Sequence, residues 1–189
     1  SASILGPSRN LFETQGHPMT ELEQLLAREA IRDCMFRYSR GIDRADEGAL
    51  VSAYWPDAHD CHGAYNGPIE GFFEMVRGAW AREPRNIHHV TNILIEFVGA
   101  DQAAVESYFL ALQRSSGQDG IARQVMLSGR YCDLFENRGG EWRVLKRTVV
   151  YDWVDPQPAL EPDEGTRFGP RTPIGAPYPH DVVYQLLKG

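Results

Sequence analysis

From Thr20 onward, apolar residues recur at helical spacing: Leu22, Leu25, Leu26, Ala30, Ile31, Cys34, Met35 and Tyr38. That period puts them on one face of an α-helix. Thr20 followed by Glu23 is a capping-box pair that starts it, and Gly41 is expected to break it. "RADEGALVSAYW" reads as a second short helix stopped by Pro56. "IEGFFEMVRGAWARE" (69–83) reads as a third, with Phe72, Phe73, Val76 and Trp80 on one stripe. Between them, "DAHDCHGAYNGPIEG" has turn residues at both ends, which predicts two short strands around Gly63.

After Pro84 the period changes to two. "HHVTNILIEFVG", "QAAVESYFLALQRS", "IARQVMLSGRYCDLFEN" and "WRVLKRTVVYDWV" read as long antiparallel strands, with "GQDG" and "RGGE" as tight turns. Helices first and a meander later is an α+β pattern. A curved sheet wrapped against helices makes a cone with one open end. Residues 155–189 differ. Pro156, Pro158, Pro162, Pro170, Pro173, Pro177 and Pro179 argue for an extended arm, closed by a short helix in "HDVVYQLLKG". Residues 1–18 lack a signal pattern and read as a leader or a cloning remnant. The expected domain is 19–154.

Composition narrows the functions. The chain has 189 residues, 42% hydrophobic and 24% charged, enough for one domain with a real core. A formal net charge of −7 argues against nucleic acid or an anionic membrane as partner. No apolar run reaches the roughly 18 residues of a membrane span. Cys34, Cys61 and Cys132 show no CxxC spacing and fit reduced thiols in a cytoplasmic protein. No phosphate-binding, flavin or nicotinamide fingerprint is present, so no cofactor is expected and proton chemistry is what remains.

Two segments carry the candidate chemistry. "NIHHVTNILIEF" (86–97) sets two histidines side by side at the start of a strand. Neighbours on a strand point to opposite faces, so only one can enter the cone. "DAHDCH" divides the same way: Asp57, His59 and Cys61 share one face, Asp60 and His62 the other. Ligands at alternate strand positions without a third cluster are weak evidence for metal, and none is expected. His59 or His62 at the cavity mouth is the better reading, and a second cavity histidine could position a substrate phenol. Phe72, Phe73, Trp80, Tyr54, Trp55, Phe109 and Tyr151 serve the core first. Some must line the hollow, and we take Tyr54, Trp55 and Phe73 as those members, which favours a flat, apolar, aromatic ligand.

The segments "AREAIRDCMFRYSRGIDRADEGALVSAYWPDA", "IHHVTNI" and "LSGRYCDLFENRGGEWRVLKR" resemble the SnoaL-like branch of the nuclear-transport-factor-2-like superfamily. The resemblance covers roughly 20–154 and implies a cone-shaped α+β barrel. Cofactor-free lyases of that superfamily include hexachlorocyclohexane dehydrochlorinase, scytalone dehydratase, bile acid 7α-dehydratase and γ-formaldehyde lyases. They pair an Asp near the end of the first helix with a His on the first long strand. The matching residues here are Asp43 and His88, and Tyr38 matches a Tyr of the bile acid dehydratases. The dehydrochlorinase has a Lys at that position, so its substrate is not implied. An Arg on the late strands completes many such sites; Arg147 and Arg130 both qualify.

The resemblance therefore implies a lyase in which His88, oriented by Asp43, removes a proton while Tyr38 holds an oxygen. The reaction would be dehydration, or carbon–carbon cleavage releasing formaldehyde, on an aromatic small molecule, for example a lignin-type diaryl compound. A homo-oligomer, dimer or trimer, is expected. The same fold also serves as the non-catalytic β subunit of aromatic-ring dioxygenases, and an isomerase would use the same base.

Overall fold

The computed structural model describes residues 19–82, 86–116, 122–158, 169 and 173–187. Its elements run α1 (Glu21–Arg44), α2 (Glu47–Val51), β1 (Tyr54–His62), β2 (Tyr65–Pro68), α3 (Ile69–Arg82), β3 (Asn86–Phe97), β4 (Gln102–Ser116), β5 (Ala122–Arg138), β6 (Glu141–Pro158) and α4 (Val183–Leu186). Six strands form one sheet in the order β2-β1-β6-β5-β4-β3. The β1–β6 pair is parallel and all others are antiparallel. This is the mixed, mostly antiparallel α+β cone expected. No helix among the described residues is long and apolar enough to cross a membrane.

The helices begin where the chemistry says they should. Thr20 accepts from the Glu23 N–H at 3.2 Å, and Glu23 accepts from the Thr20 N–H at 2.7 Å, closing the capping box. The inward stripe of α1 starts later than the apolar pattern, at Ala27. It runs through Ile31, Cys34, Met35, Tyr38 and Ile42, while Leu22, Leu25 and Leu26 stay in water. Among the described residues nothing covers that first turn and a half; it edges a groove of about 530 Å³ lined by Met19, Glu23, Asp101 and Trp142.

Sheet curvature comes from interruptions in pairing. In β3 the register shifts between Thr91 and Leu94, where Asn92 adopts φ 48°. In β5 it shifts beside Gly129, whose missing side chain admits the Val150 carbonyl; a Cβ there would lie 2.0 Å from it. Each bulge bends its strand around the helices. The inner face then holds Val105, Phe109, Ala111, Tyr131 and Phe135, while Tyr108, Leu110 and Trp153 point outward.

Two local expectations are corrected. The second helix ends at Val51, and Pro56 lies within β1. The "GQDG" turn at 117–120 and residues 1–18 lie outside the described residues. Proline density does not end the sheet at 154: β6 stays paired to β5 as far as Pro158, opposite Arg123. The β1–β6 pairing stops at Thr148. Beyond it no other strand among the described residues pairs with that edge of β6, and prolines are tolerated at such an edge.

The arm returns to the body through Asp181. Its carboxylate accepts from the Ala176 N–H at 2.9 Å and the Val183 N–H at 3.1 Å, and faces Arg44 Nε at 3.2 Å. Those amides, with Arg44, hold its pKa below the usual carboxylate range. A depressed native pKa means the contribution is full above the ordinary carboxylate pKa and is lost as pH falls through the native value. Asp181→Asn is expected to weaken arm docking by about 1–2 kcal/mol at neutral pH. Hydrogen exchange of 173–187 should then match that of the wild type in acid; equal protection of both proteins at neutral pH would contradict this.

Candidate active site

The last turn of α1 is pinned carbonyl by carbonyl. Gly41 C=O accepts from the N–H groups of Ala45 and Asp46, and Ile42 C=O from the Trp80 indole at 3.0 Å. Asp43 C=O accepts from Arg44 Nη1 at 3.3 Å, and Arg44 C=O from the Tyr178 N–H. A helix end normally leaves these acceptors to solvent. Here they are tied to α3, α2 and the C-terminal arm. Gly41 makes the close approach possible, since a Cβ there would lie 2.6 Å from the Leu50 backbone.

That anchoring aims Asp43 at β3. Its Oδ2 accepts from the His88 backbone N–H at 2.9 Å, and its Oδ1 lies 2.6 Å from His88 Nδ1. The side chains are 11% and 7% exposed, so water does not compete with the pair. A carboxylate acceptor at Nδ1 places the imidazole proton there and leaves Nε2 as the lone-pair nitrogen. Strand alternation behaves as expected, with His88 inward and His89 exposed.

His88 belongs to the wall of a cavity of about 360 Å³. Ile42, Phe72, Val76 and Trp80 make its apolar side; Tyr38, His62, Gln113 and Tyr151 add polar groups. Tyr38 is almost wholly buried and packs edge to face on Tyr131, with ring centroids 5.6 Å apart. Burial pushes its phenol well above the usual range, so it stays a neutral donor.

Beneath Tyr38 lies a closed charge network. Arg147, 1% exposed, pairs with Asp133 through Nε at 2.8 Å and Nη2 at 2.7 Å. Its guanidinium sits in the corner formed by the Tyr38 and Tyr131 rings, which stand edge to face, 4.2 Å from each centroid. Nη1 donates to the Tyr54 hydroxyl at 3.1 Å, which donates to Asp60 Oδ2 at 2.9 Å. Arg147 thus reaches the cavity only through the rings that cover it.

Several expected lining residues sit elsewhere. Arg130 is on the outer face, paired with Asp152 at 2.9 Å, because β5 alternation sends Tyr131 and Asp133 inward. His59 is exposed and bonded to Asn66 at 2.7 Å; His62, three residues on and so on the other face, is the one that enters. Trp55 is held between the Arg138 and Arg143 guanidinia, both 4.8 Å away, with its indole on the Glu136 carbonyl. Tyr54 and Phe73 are core residues packed edge to face at 5.9 Å, and Phe72 is the ring that lines the cavity. Cys34 is buried, its thiol pushed up to about 11, and serves as filler. Among the described residues, no group of three or more His, Cys, Asp or Glu is placed to hold a metal.

The SnoaL-like domain family matches residues 23–148. The chain belongs to this family. Among SnoaL-like relatives, hexachlorocyclohexane dehydrochlorinase 1 of Sphingobium indicum is 29% identical over 142 residues, covering 73% of this chain and 90% of that protein. The crystal structure of a type 3 hexachlorocyclohexane dehydrochlorinase from Novosphingobium barchaimii aligns with a TM-score of 0.66 at 28% identity, over 75% of this chain and 97% of that one. A Novosphingobium aromaticivorans chain assigned as the beta subunit of an aromatic-ring-hydroxylating dioxygenase gives a TM-score of 0.53 at 21% identity, over 70% and 93%. That last likeness is one of fold alone.

Removing Arg147 would strand Asp133 in the SnoaL-like core without its cation. Arg147→Met is expected to cost about 3–5 kcal/mol, read as a lower urea midpoint with an unchanged slope. An unchanged midpoint would mean the network is not needed for the fold.

Proposed function

We propose that the protein is a cofactor-independent lyase acting on a small aromatic alcohol, with His88 as general base and Asp43 as its orienting partner. One observation carries the reading: the 2.6 Å Nδ1–Oδ1 contact, shielded from water, with the free nitrogen of His88 left to a largely apolar cavity. A neutral imidazole suits proton removal near pH 7, and the carboxylate stabilises the imidazolium that forms. The Asp43 side chain accepts from both His88 nitrogens, main chain and ring, so the base is fixed in tautomer and in direction.

His88 takes a proton from carbon, or from a hydroxymethyl oxygen. In the first case the carbon–hydrogen pair forms a double bond and a leaving group departs from the neighbouring carbon. In the second the phenolic substrate first loses its benzylic hydroxyl as water to give a quinone methide; the oxygen–hydrogen pair then becomes a carbonyl, formaldehyde is released, and the carbon–carbon pair moves into the quinone methide and restores the aromatic ring. Tyr38, a neutral donor backed by the Arg147 charge, steadies the substrate oxygen in either case. Phe72, Trp80 and Tyr151 offer ring surfaces to an aromatic substrate. Dehydrochlorinase relatives support elimination as the reaction class. The dioxygenase β-subunit reading rests on fold likeness alone.

The test is turnover of a panel of aryl alcohols and phenolic diarylpropane diols, assayed for new double bonds and for released aldehyde. His88→Ala is expected to lower kcat on a wild-type substrate by about 10²–10⁴-fold without loss of secondary structure. Wild-type kcat in that variant would remove His88 from the mechanism.

A further inference from the structure

The wall of β1 carries a second imidazole–carboxylate pair. Asp60 and His62 stand two apart on the strand and so share its inner face. Asp60 lies opposite Arg147 in the β1–β6 register and is fully buried. Its Oδ2 is satisfied by the Tyr54 hydroxyl, but its Oδ1 has no donor. His62 Nδ1 lies 3.4 Å from that oxygen and is likewise buried and unpartnered. Two unsatisfied atoms facing each other each cost about 1–3 kcal/mol, so stability does not account for the arrangement.

Charge points the same way. Among the described residues, the buried charges under the cavity are one guanidinium, Arg147, and two carboxylates, Asp133 and Asp60. Asp133 takes Arg147 in a bidentate pair. His62 is the remaining group facing Asp60 that can supply a positive charge. Its other neighbours are Phe72 of α3, stacked at 4.9 Å, and Tyr151 of β6, edge-on at 6.3 Å. The ring is held by its faces, is 21% exposed, and lines the same cavity as His88. With Nδ1 turned to Asp60, Nε2 is the atom left for a ligand.

Expulsion of an alcohol oxygen needs a proton donor as well as a base. Tyr38 holds its proton too tightly for that, because burial raises its pKa. We propose that His62, charged and oriented by Asp60, is the cavity's general acid, protonating the oxygen that leaves while His88 withdraws a proton. The step balances. His88 gains a proton from carbon, the carbon–hydrogen pair becomes the double bond, and the carbon–oxygen pair goes to oxygen. That oxygen takes the His62 proton and departs as water, and exchange with solvent resets both rings. The assignment rests on the lyase reading and deepens it: the substrate is one whose leaving group must be protonated.

Leaving-group dependence tests it. Chloride departs without a proton, so an aryl alcohol from the panel is compared with its chloride analogue. His62→Gln is expected to lower the alcohol-to-chloride rate ratio by about 10²–10⁴-fold, and Asp60→Asn to lower it in the same direction. His88→Ala removes the base from both reactions and leaves the ratio alone. Equal loss on both substrates in His62→Gln overturns the acid role while leaving the lyase reading intact. A second arm needs no turnover. Para-nitrophenol is added at a pH below its own pKa, and the phenolate band of the bound form is read. The band is expected with wild type and is lost in His62→Gln and Asp60→Asn. The same spectrum in all three proteins overturns the proposal, whatever the protein is found to catalyse.

Discussion

A carboxylate at the C-terminal end of an α-helix faces the negative end of the helix dipole and is disfavoured there. Asp43 occupies that place, nearly out of water, one residue before α1 ends. What holds it is the double acceptance from His88, main-chain N–H and ring Nδ1. The surroundings serve this contact. Trp80 and Tyr178 tie down the neighbouring carbonyls, Gly41 lets α2 close in, and the Asp181–Arg44 contact fastens the arm behind. The fold thus spends cap positions, a glycine and a tail on the placement of one side chain.

Below the cavity, polar groups are used in the opposite way. Arg147, Asp133, Tyr54 and Asp60 are sealed under the Tyr38 and Tyr131 rings. Such a network is weak evidence for stability, since desolvation consumes most of its Coulombic gain. Its effect is local. A fixed positive charge lies 4.2 Å under the ring of Tyr38, and a spare carboxylate faces His62. One cavity therefore receives two differently backed imidazoles and two phenols, Tyr38 and Tyr151, a set that fits proton transfer without a cofactor.

Much of this was legible from the chain, for definable reasons. Helix spacing and the Thr20–Glu23 box located α1, and strand alternation required one of His88 and His89 to point outward. Asp43 was legible only through the family resemblance, because a helix-end Asp has many ordinary uses. Alternation also separated His59 from His62, but periodicity cannot say which face is inner. His59 and His62 therefore stayed alternatives, and Phe72 was passed over for its neighbour Phe73 as a lining ring. Arg130 and Arg147 were indistinguishable because alternation does not say which face of a strand is inner, and the β5–β6 register shifts twice, at Ser128/Gly129 and at Leu134/Phe135. Trp55 was misplaced because an aromatic residue near a barrel end can as well be gripped by guanidinia as open to a ligand.

The central claim is that Asp43 and His88 act as one unit, and a double-mutant cycle on turnover addresses it directly. For a pair acting together, Asp43→Asn and His88→Ala should each be severe, and the double variant should be no slower than the worse single. Losses that multiply in the double variant would mean the two residues work independently, and the 2.6 Å contact would then be structural only.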